Sequence, residues 1–571
     1  MSETRPIIRG MKGCVTSSNY LATTAGFMIL RAGGNAFDAA AATGIALHVV
    51  EPHMNGIGGE APALIYSAKH RKVYAISGQG YAPAAACLEF FLDHGIDLIP
   101  GDGFLPATVP ASFGLWVTLL MNFGTMSLAE VMEPALRFAE EGFPVYATLS
   151  QSIRAHAKRF TKEWPTTARI YLPHGKPPEV GQRLVQTDLG TTLRRLAAAE
   201  QSAGDDRRKG LMAASEYFYC GPIARQIIKF SSNNPIPDAT GKRHTSLLRE
   251  KDFSEFCTRL EKPVSIDYAG FRVHKCGPWS QGPVFLQQLR LLEEDDLLCL
   301  GHNSADYIHL LTEASKLAFA DREEFYGDPL FTDVPIQILL SRDYARTRRK
   351  LIRKRASLDL RPGAISRTAT GITSRSKGDT THLDVADSEG NMISVTPSGG
   401  WIWSSPVIEP LGFPLGTRAQ MFSLDESHPN CIAPHKRPRT TLSPTLVSVK
   451  GKPYMAFGTP GGDQQDQWTL QFFLNCVSFG MTLQSAIDVP TFHNSHFPSS
   501  FYPRDAEPGR LYLEGRIPSP VAKELRRRGH RVVFEGDWVN GRVTAVRFDR
   551  DHGTIDAAAS SRYQTSYAMG L

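Results

Sequence analysis

Two short runs at 380–387 and 392–396 alternate apolar and polar residues, around Leu383 and Val385 in the first and Ile393 and Val395 in the second. A period of two marks a half-buried strand, and Ser388-Glu389-Gly390-Asn391 between them carries turn chemistry, so the pair reads as a β-hairpin. Similar short runs read as paired strands at 63–66 and 73–76. Further strands read at 444–449, 454–458, 511–514, 532–535 and 543–549. Elsewhere the period lengthens to that of a helix. Helices are expected at 19–32, stopped by Gly33-Gly34, and at 36–50, capped by Asn35. Others are expected at 126–142, 186–199, 284–293, 470–479 and 483–488. The longest, 304–325, has Ser304 as cap and puts Ile308, Leu311, Ala314 and Ala318 on one face. Polar stretches at 202–210 and 231–242 read as loops, and no internal repeat is present. Strands and helices are mixed along the chain.

Between the helical and hairpin regions, 363–379 is rich in Ser, Thr, Arg and Gly and poor in apolar residues. It reads as exposed and mobile. Such a segment ending abruptly in Asp379-Thr380-Thr381 at a strand start suggests a backbone cut between Asp379 and Thr380. The cut has a chemical use. A threonine hydroxyl is a weak nucleophile that needs a base. A terminal α-amine, with a pKa of roughly 7.7–8.0, can be that base for its own side chain. Taken alone, Asp379-Thr380-Thr381-His382 is a weak signal and is more often an ordinary strand start, threonine being a good strand former.

Composition narrows the field little. Of 571 residues, 42% are hydrophobic and 21% charged, as in soluble globular chains, and the net charge of +6 does not argue for nucleic acid. Seven basic residues in 346–355 read as a solvated helix face rather than a nucleic-acid patch, since no aromatic residues are interleaved. Eight scattered cysteines form no C-x-x-C pair, so neither a zinc site nor a disulfide framework is implied, and most are expected to be buried. No early stretch has the apolar length of a signal or membrane span, and a cytoplasmic protein is expected. Gly56-Ile57-Gly58-Gly59 lacks both the P-loop lysine and dinucleotide spacing, so close backbone packing near a site is the better reading.

The string Thr380-Thr381-His382, Gly390-Asn391-Met392, Lys436-Arg437-Pro438, Leu442-Ser443-Pro444 and Gly458-Thr459-Pro460-Gly461-Gly462 resembles the small subunit of the gamma-glutamyltranspeptidase family. Glu51-Pro52-His53, Gly33-Gly34-Asn35-Ala36 and Ala82-Pro83-Ala84 resemble motifs of its large subunit. The resemblance runs from about residue 10 to the C-terminus. It implies an N-terminal nucleophile hydrolase: a zymogen of the α+β class with αββα four-layer architecture, cut by itself into 1–379 and 380–571, which stay interleaved as an intramolecular heterodimer. It implies Thr380 as nucleophile, Ser398 as the hydroxyl beside it, and Gly461 and Gly462 as oxyanion donors. No metal or organic cofactor is implied. A homo-oligomer is left open.

The same resemblance marks a departure. The family binds the two charges of a γ-glutamyl group with an arginine, an asparagine and an acidic residue. Those positions fall on Gln79, Gly400 and near Met421, and two serines become Thr440 and Thr441. Most charge complementarity for glutamate is thereby lost, so glutathione is not the expected substrate. Arg418 has two readings, a partner for a substrate carboxylate or for Asp463 or Asp466. The expected activity is that of the amidohydrolase and acylase branch, cleaving a small amide through an acyl-enzyme. Rival readings are a glutathione hydrolase or γ-glutamyl transferase with a rearranged clamp, and an uncut pseudoenzyme that binds a ligand.

Overall fold

Strands from both sides of residue 380 join in two seven-stranded antiparallel sheets. The computed structural model describes residues 3–363, 378–562 and 564–571. One sheet runs in the order Tyr567–Gly570, Gly13–Ser17, Leu383–Asp387, Met392–Val395, Ala63–Ser67, Lys72–Ile76, Leu260–Glu261. The other runs Ile8–Gly10, Thr554–Ala559, Thr544–Asp549, Lys452–Gly458, Thr445–Val449, Phe271–Lys275, Val264–Tyr268. The expected hairpin forms, with Leu383 opposite Val395 and Val385 opposite Ile393.

The sheets stack on each other through Cys14, Leu64, Met392, Leu446, Ala456 and Val546, among others. Helices cover both outer faces. Tyr20–Arg31 and Ala36–Val50 pack outside the first sheet. Gly282–Leu292, Ala305–Phe325 and Gln465–Val477 cover the second, around Phe285, Leu289, Phe457 and Phe473. This is the αββα sandwich. The caps agree with the sequence: Asn35 accepts from the amides of Phe37 and Asp38, and Asp38 accepts from Asn35 in return.

Several expectations need correction. The hairpin strands are buried on both faces, not one. Their polar positions face the second sheet and are satisfied there; Asp384 accepts from Thr544 Oγ1 at 2.9 Å. The loops expected at 202–210 and 231–242 are invaded by the helices Arg207–Tyr219 and Pro222–Asn233. Asp206, which reads as a loop residue, is the cap of the first, accepting from Arg208 and Lys209 amides. Only Cys14 and Cys276 of the eight cysteines are buried; Cys220, Cys257 and Cys299 are exposed. The basic run is mostly exposed, as expected, but two of its members are tied down: Arg349 meets Asp295 at 2.6 Å and buried Arg348 meets Asp321 at 3.1 Å. The stretch 364–377, expected to be mobile, lies outside the described residues. Among the described residues no helix is long and apolar enough to cross a membrane.

Candidate active site

Thr380 lies at the N-terminal approach to the strand Leu383–Asp387, in the middle of the first sheet, and is fully buried. Its backbone pairs with Ser398, and Thr381 donates to the carbonyl of Pro397 at 3.0 Å. That pairing brings the Thr380 and Ser398 hydroxyls to 3.3 Å. Ser398 in turn donates to the Asp379 carbonyl at 2.7 Å and accepts from Arg418 Nη2 at 2.8 Å. The indole N–H of Trp401 reaches the same Asp379 carbonyl at 2.8 Å.

Glycines permit this crowding. A Cβ at Gly59 would sit 2.2 Å from the Ser398 carbonyl, and one at Gly58 would sit 2.0 Å from that of Pro414. Gly56-Ile57-Gly58-Gly59 is therefore a close-packing loop, not a phosphate cradle. Glu60, the next residue, forms a buried ion pair with Arg418. That corrects the expectation for Arg418: Asp463 pairs with Arg322, and Asp466 with Lys275 at 2.9 Å. Arg418 is 2% exposed and committed to Glu60 and Ser398.

Thr381 supports its neighbour. Its hydroxyl donates to Glu51 Oε2 at 2.7 Å, and so does that of Ser18. Burial pushes the Glu51 carboxyl above the usual range, while these two hydrogen bonds and the Arg542 charge pull it back. His382 sits between Thr396 at 2.9 Å and Asp384 at 3.0 Å. Gly458 makes room for its ring, since a Cβ there would meet the imidazole at 2.2 Å.

Gly461 and Gly462 precede the helix Gln465–Val477 with φ of 130° and 57°. A Cβ at Gly461 would collide with Trp468 at 2.3 Å. The turn is held from behind. Gln281 Nε2 donates to the Gly462 carbonyl at 3.3 Å, and Arg322 bonds both Gln281 Oε1, at 2.9 Å, and Asp463. Gly378, Asp379, Gly461 and Gly462 line one cavity of about 280 Å³, walled by Trp468 and Phe501 among others. Thr380 is thus beside Ser398, and Asp379 shares a cavity with the two glycines that neither Thr380 nor Ser398 lines.

The clamp positions are buried. Gln79 is 2% exposed, its Nε2 on the Gly80 carbonyl at 3.3 Å. Gly400 has φ of 62° and packs on Gly58 and Gly59. Met421 clusters with Trp401 and Phe501. Thr440 and Thr441 lie in buried backbone beside Trp279. Glu60, Trp401, Gln281 and Arg322 escape sequence reasoning. None sits in a recognisable spacing, although Glu60 does come directly after the glycine loop.

A family model for gamma-glutamyltranspeptidase matches residues 22–570. The chain belongs to the gamma-glutamyltranspeptidase family. It is similar to the glutathione hydrolase-like YwrD proenzyme of Bacillus subtilis, 33% identical over 558 residues that cover 97% of each chain. Among solved structures, LmbA2991 is 44% identical with a TM-score of 0.96, covering all of both chains. A cephalosporin acylase from Bacillus halodurans is 30% identical with a TM-score of 0.86, covering 100% of this chain and 98% of that one. The family is one of N-terminal nucleophile hydrolases, enzymes made as proenzymes, and this chain is an enzyme of that kind.

His309, Glu313 and His530 are one group whose ligand atoms come close enough to hold a metal ion. They serve each other instead. His309 Nδ1 and His530 Nε2 are 2.8 Å apart, and Glu313 meets Lys316 at 2.5 Å and Arg361 at 3.0 Å. The surrounding cations oppose a metal.

Proposed function

We propose that the chain is a self-processing amidohydrolase that is cut between Asp379 and Thr380 and then uses Thr380 as an N-terminal nucleophile on a small amide. The observation that carries this reading is convergence. The Thr380 hydroxyl, the Ser398 hydroxyl and the Asp379 carbonyl lie within hydrogen-bond reach, beside a cavity shared with Gly461 and Gly462. After the cut, the freed amine takes the proton of the Thr380 hydroxyl as it attacks the amide carbon. The Gly461 and Gly462 amides hold the oxyanion, each donor worth roughly 2.7–4 kcal/mol. The leaving amine departs protonated, and water resolves the acyl-enzyme.

The substrate is an acyl amide without the γ-glutamyl charge pair. Gln79, Gly400 and Met421 offer no ion to either charge, and Arg418 is neutralised by Glu60; the arginine that lines the cavity is Arg542. The relatives' names include an acylase, which agrees with this reading. The test is a mass measurement and then an amide screen. Purified material should separate into 1–379 and 380–571, and Thr380→Ala should stay in one piece and turn nothing over. Acyl anilides should be hydrolysed faster than γ-glutamyl-p-nitroanilide, with kcat/KM rising through roughly pH 7.7–8.0 as the amine loses its proton. Rapid turnover of the γ-glutamyl compound would restore the glutathione hydrolase reading, and a full-length chain in active material would end the proposal.

A further inference from the structure

The carbonyl of Asp379 receives two side-chain donors, Ser398 Oγ at 2.7 Å and Trp401 Nε1 at 2.8 Å. That oxygen belongs to the peptide bond proposed to break, so a role for its two donors in cleavage rests on reading Thr380 as the nucleophile. Two preorganised donors on one carbonyl are what a tetrahedral intermediate needs. We infer that Trp401 is a catalytic residue of self-cleavage, its indole N–H forming with the Ser398 hydroxyl an oxyanion hole that is distinct from the Gly461–Gly462 pair.

The indole is fixed for this task. An indole nitrogen can only donate, so its polarity has one sense. The ring is 1% exposed, stacks on Trp403 with centroids 4.5 Å apart and planes 9° from parallel, and faces the Arg418 guanidinium at 5.4 Å. Its single N–H is shared with the Met54 carbonyl, also at 2.8 Å, in a three-centre bond that anchors the ring beside Asp379. Gly399 and Gly400, with φ of 71° and 62°, make the left-handed turn between Ser398 and Trp401. Gly400 then has a purpose beyond the loss of a clamp residue: it turns the chain so that Ser398 and Trp401 meet the same oxygen.

The chemistry balances within these groups. Thr380 Oγ1 attacks the Asp379 carbonyl carbon and a C–O bond forms. The Thr380 proton passes to Ser398 Oγ, 3.3 Å away, and the Ser398 proton follows onto the carbonyl oxygen after attack, the negative charge that develops there meanwhile being held by the Ser398 and Trp401 donors. Arg418 Nη2 donates to Ser398 Oγ at 2.8 Å, occupying one lone pair and turning the serine proton toward Asp379. Collapse breaks the C–N bond, the proton on the oxygen goes to nitrogen, and the amine of Thr380 is released. Water then hydrolyses the Asp379 ester and regenerates the threonine hydroxyl.

The experiment tracks conversion of freshly synthesised full-length chain into 1–379 and 380–571 by mass spectrometry. Trp401→Phe removes the N–H. As a closer isostere, β-(3-benzothienyl)alanine at 401 keeps the bicyclic ring and replaces only the N–H by sulfur. Both should slow cleavage by about 10²–10³-fold, the cost of one oxyanion donor, while the unfolding temperature of the benzothienyl chain stays that of the wild type. Wild-type cleavage by the folded benzothienyl chain would overturn the inference, as would slowing matched by an equal loss of stability. Failure of the underlying reading looks different, because Thr380→Ala would then be cut like the wild type.

Discussion

Arg418 Nη2 lies 2.8 Å from the Ser398 hydroxyl while that nitrogen and Nε also pair with Glu60, and Nη1 faces Met421 Sδ at 3.8 Å. Both ions are buried, at 2% and 1% exposure, so the arginine is a positioning residue and not an open anchor for substrate. Its side chain joins the glycine loop of the N-terminal half to the residues beside Thr380.

That relationship makes a test with two readouts. Arg418→Met should destabilise the chain by about 3–5 kcal/mol, because Glu60 is left as an unpaired buried charge. Glu60→Gln combined with Arg418→Met should recover most of that loss in a denaturant titration. It should not recover the rate of self-cleavage, because Ser398 has still lost the donor that orients it. Full recovery of both would reduce the pair to structural support.

Gly461→Ala should abolish turnover. The backbone there has φ of 130°, and the new methyl would meet Trp468 at 2.3 Å. Either the turn shifts or the ring moves into the cavity, and an oxyanion amide loses its aim in both cases. The loss expected on kcat is about 10²–10³-fold. Cleavage at Asp379 should persist in the same protein, since its donors are Ser398 and Trp401. Equal loss of both reactions would mean that one hole serves both.

The hairpin, its turn and the helix caps at Asn35 and Ser304 were legible because they depend on neighbours in sequence. Burial of the hairpin on both faces was not, because Asp384 and Ser394 are polar and only the second sheet explains them. The helices after Asp206 and Gly221 were hidden by polar openings that resemble loops. Of the site, the threonine and the glycines were legible from their motif. The partners of Arg418 were not: Glu60 is 358 residues away and carries no spacing signal, so Asp463 and Asp466 looked equally good.

Glu51 gives a pH dependence. Burial raises its carboxyl pKa in the folded chain, against roughly 4.3 when unfolded. Below that unfolded value both states are neutral. As pH rises past it the unfolded chain ionises first, so stability declines until the folded value is passed. Glu51→Gln is neutral throughout and can still accept from Ser18 and Thr381. Its stability relative to wild type should therefore improve from about pH 4 toward neutrality. Parallel denaturation curves at all pH values would show that Glu51 is ionised in the fold. Glu51→Ala should instead cost about 1–3 kcal/mol for each stranded hydroxyl.

Arg322 separates positioning from binding. It holds Asp463 and Gln281, Gln281 holds the Gly462 carbonyl at 3.3 Å, and Asp463 also accepts from Ser500 N at 2.9 Å and Oγ at 2.6 Å. The guanidinium is fully buried and lies over the Phe319 ring at 4.6 Å. Lysine keeps the charge but not the fork that spans two acceptors. Arg322→Lys should therefore loosen the glycine turn while leaving the cavity walls in place. The expected result is a fall in kcat of roughly tenfold, about 1.4 kcal/mol of transition-state stabilisation, with KM little changed. A rise in KM at constant kcat would instead make Arg322 a determinant of substrate binding, and the turn would need another support.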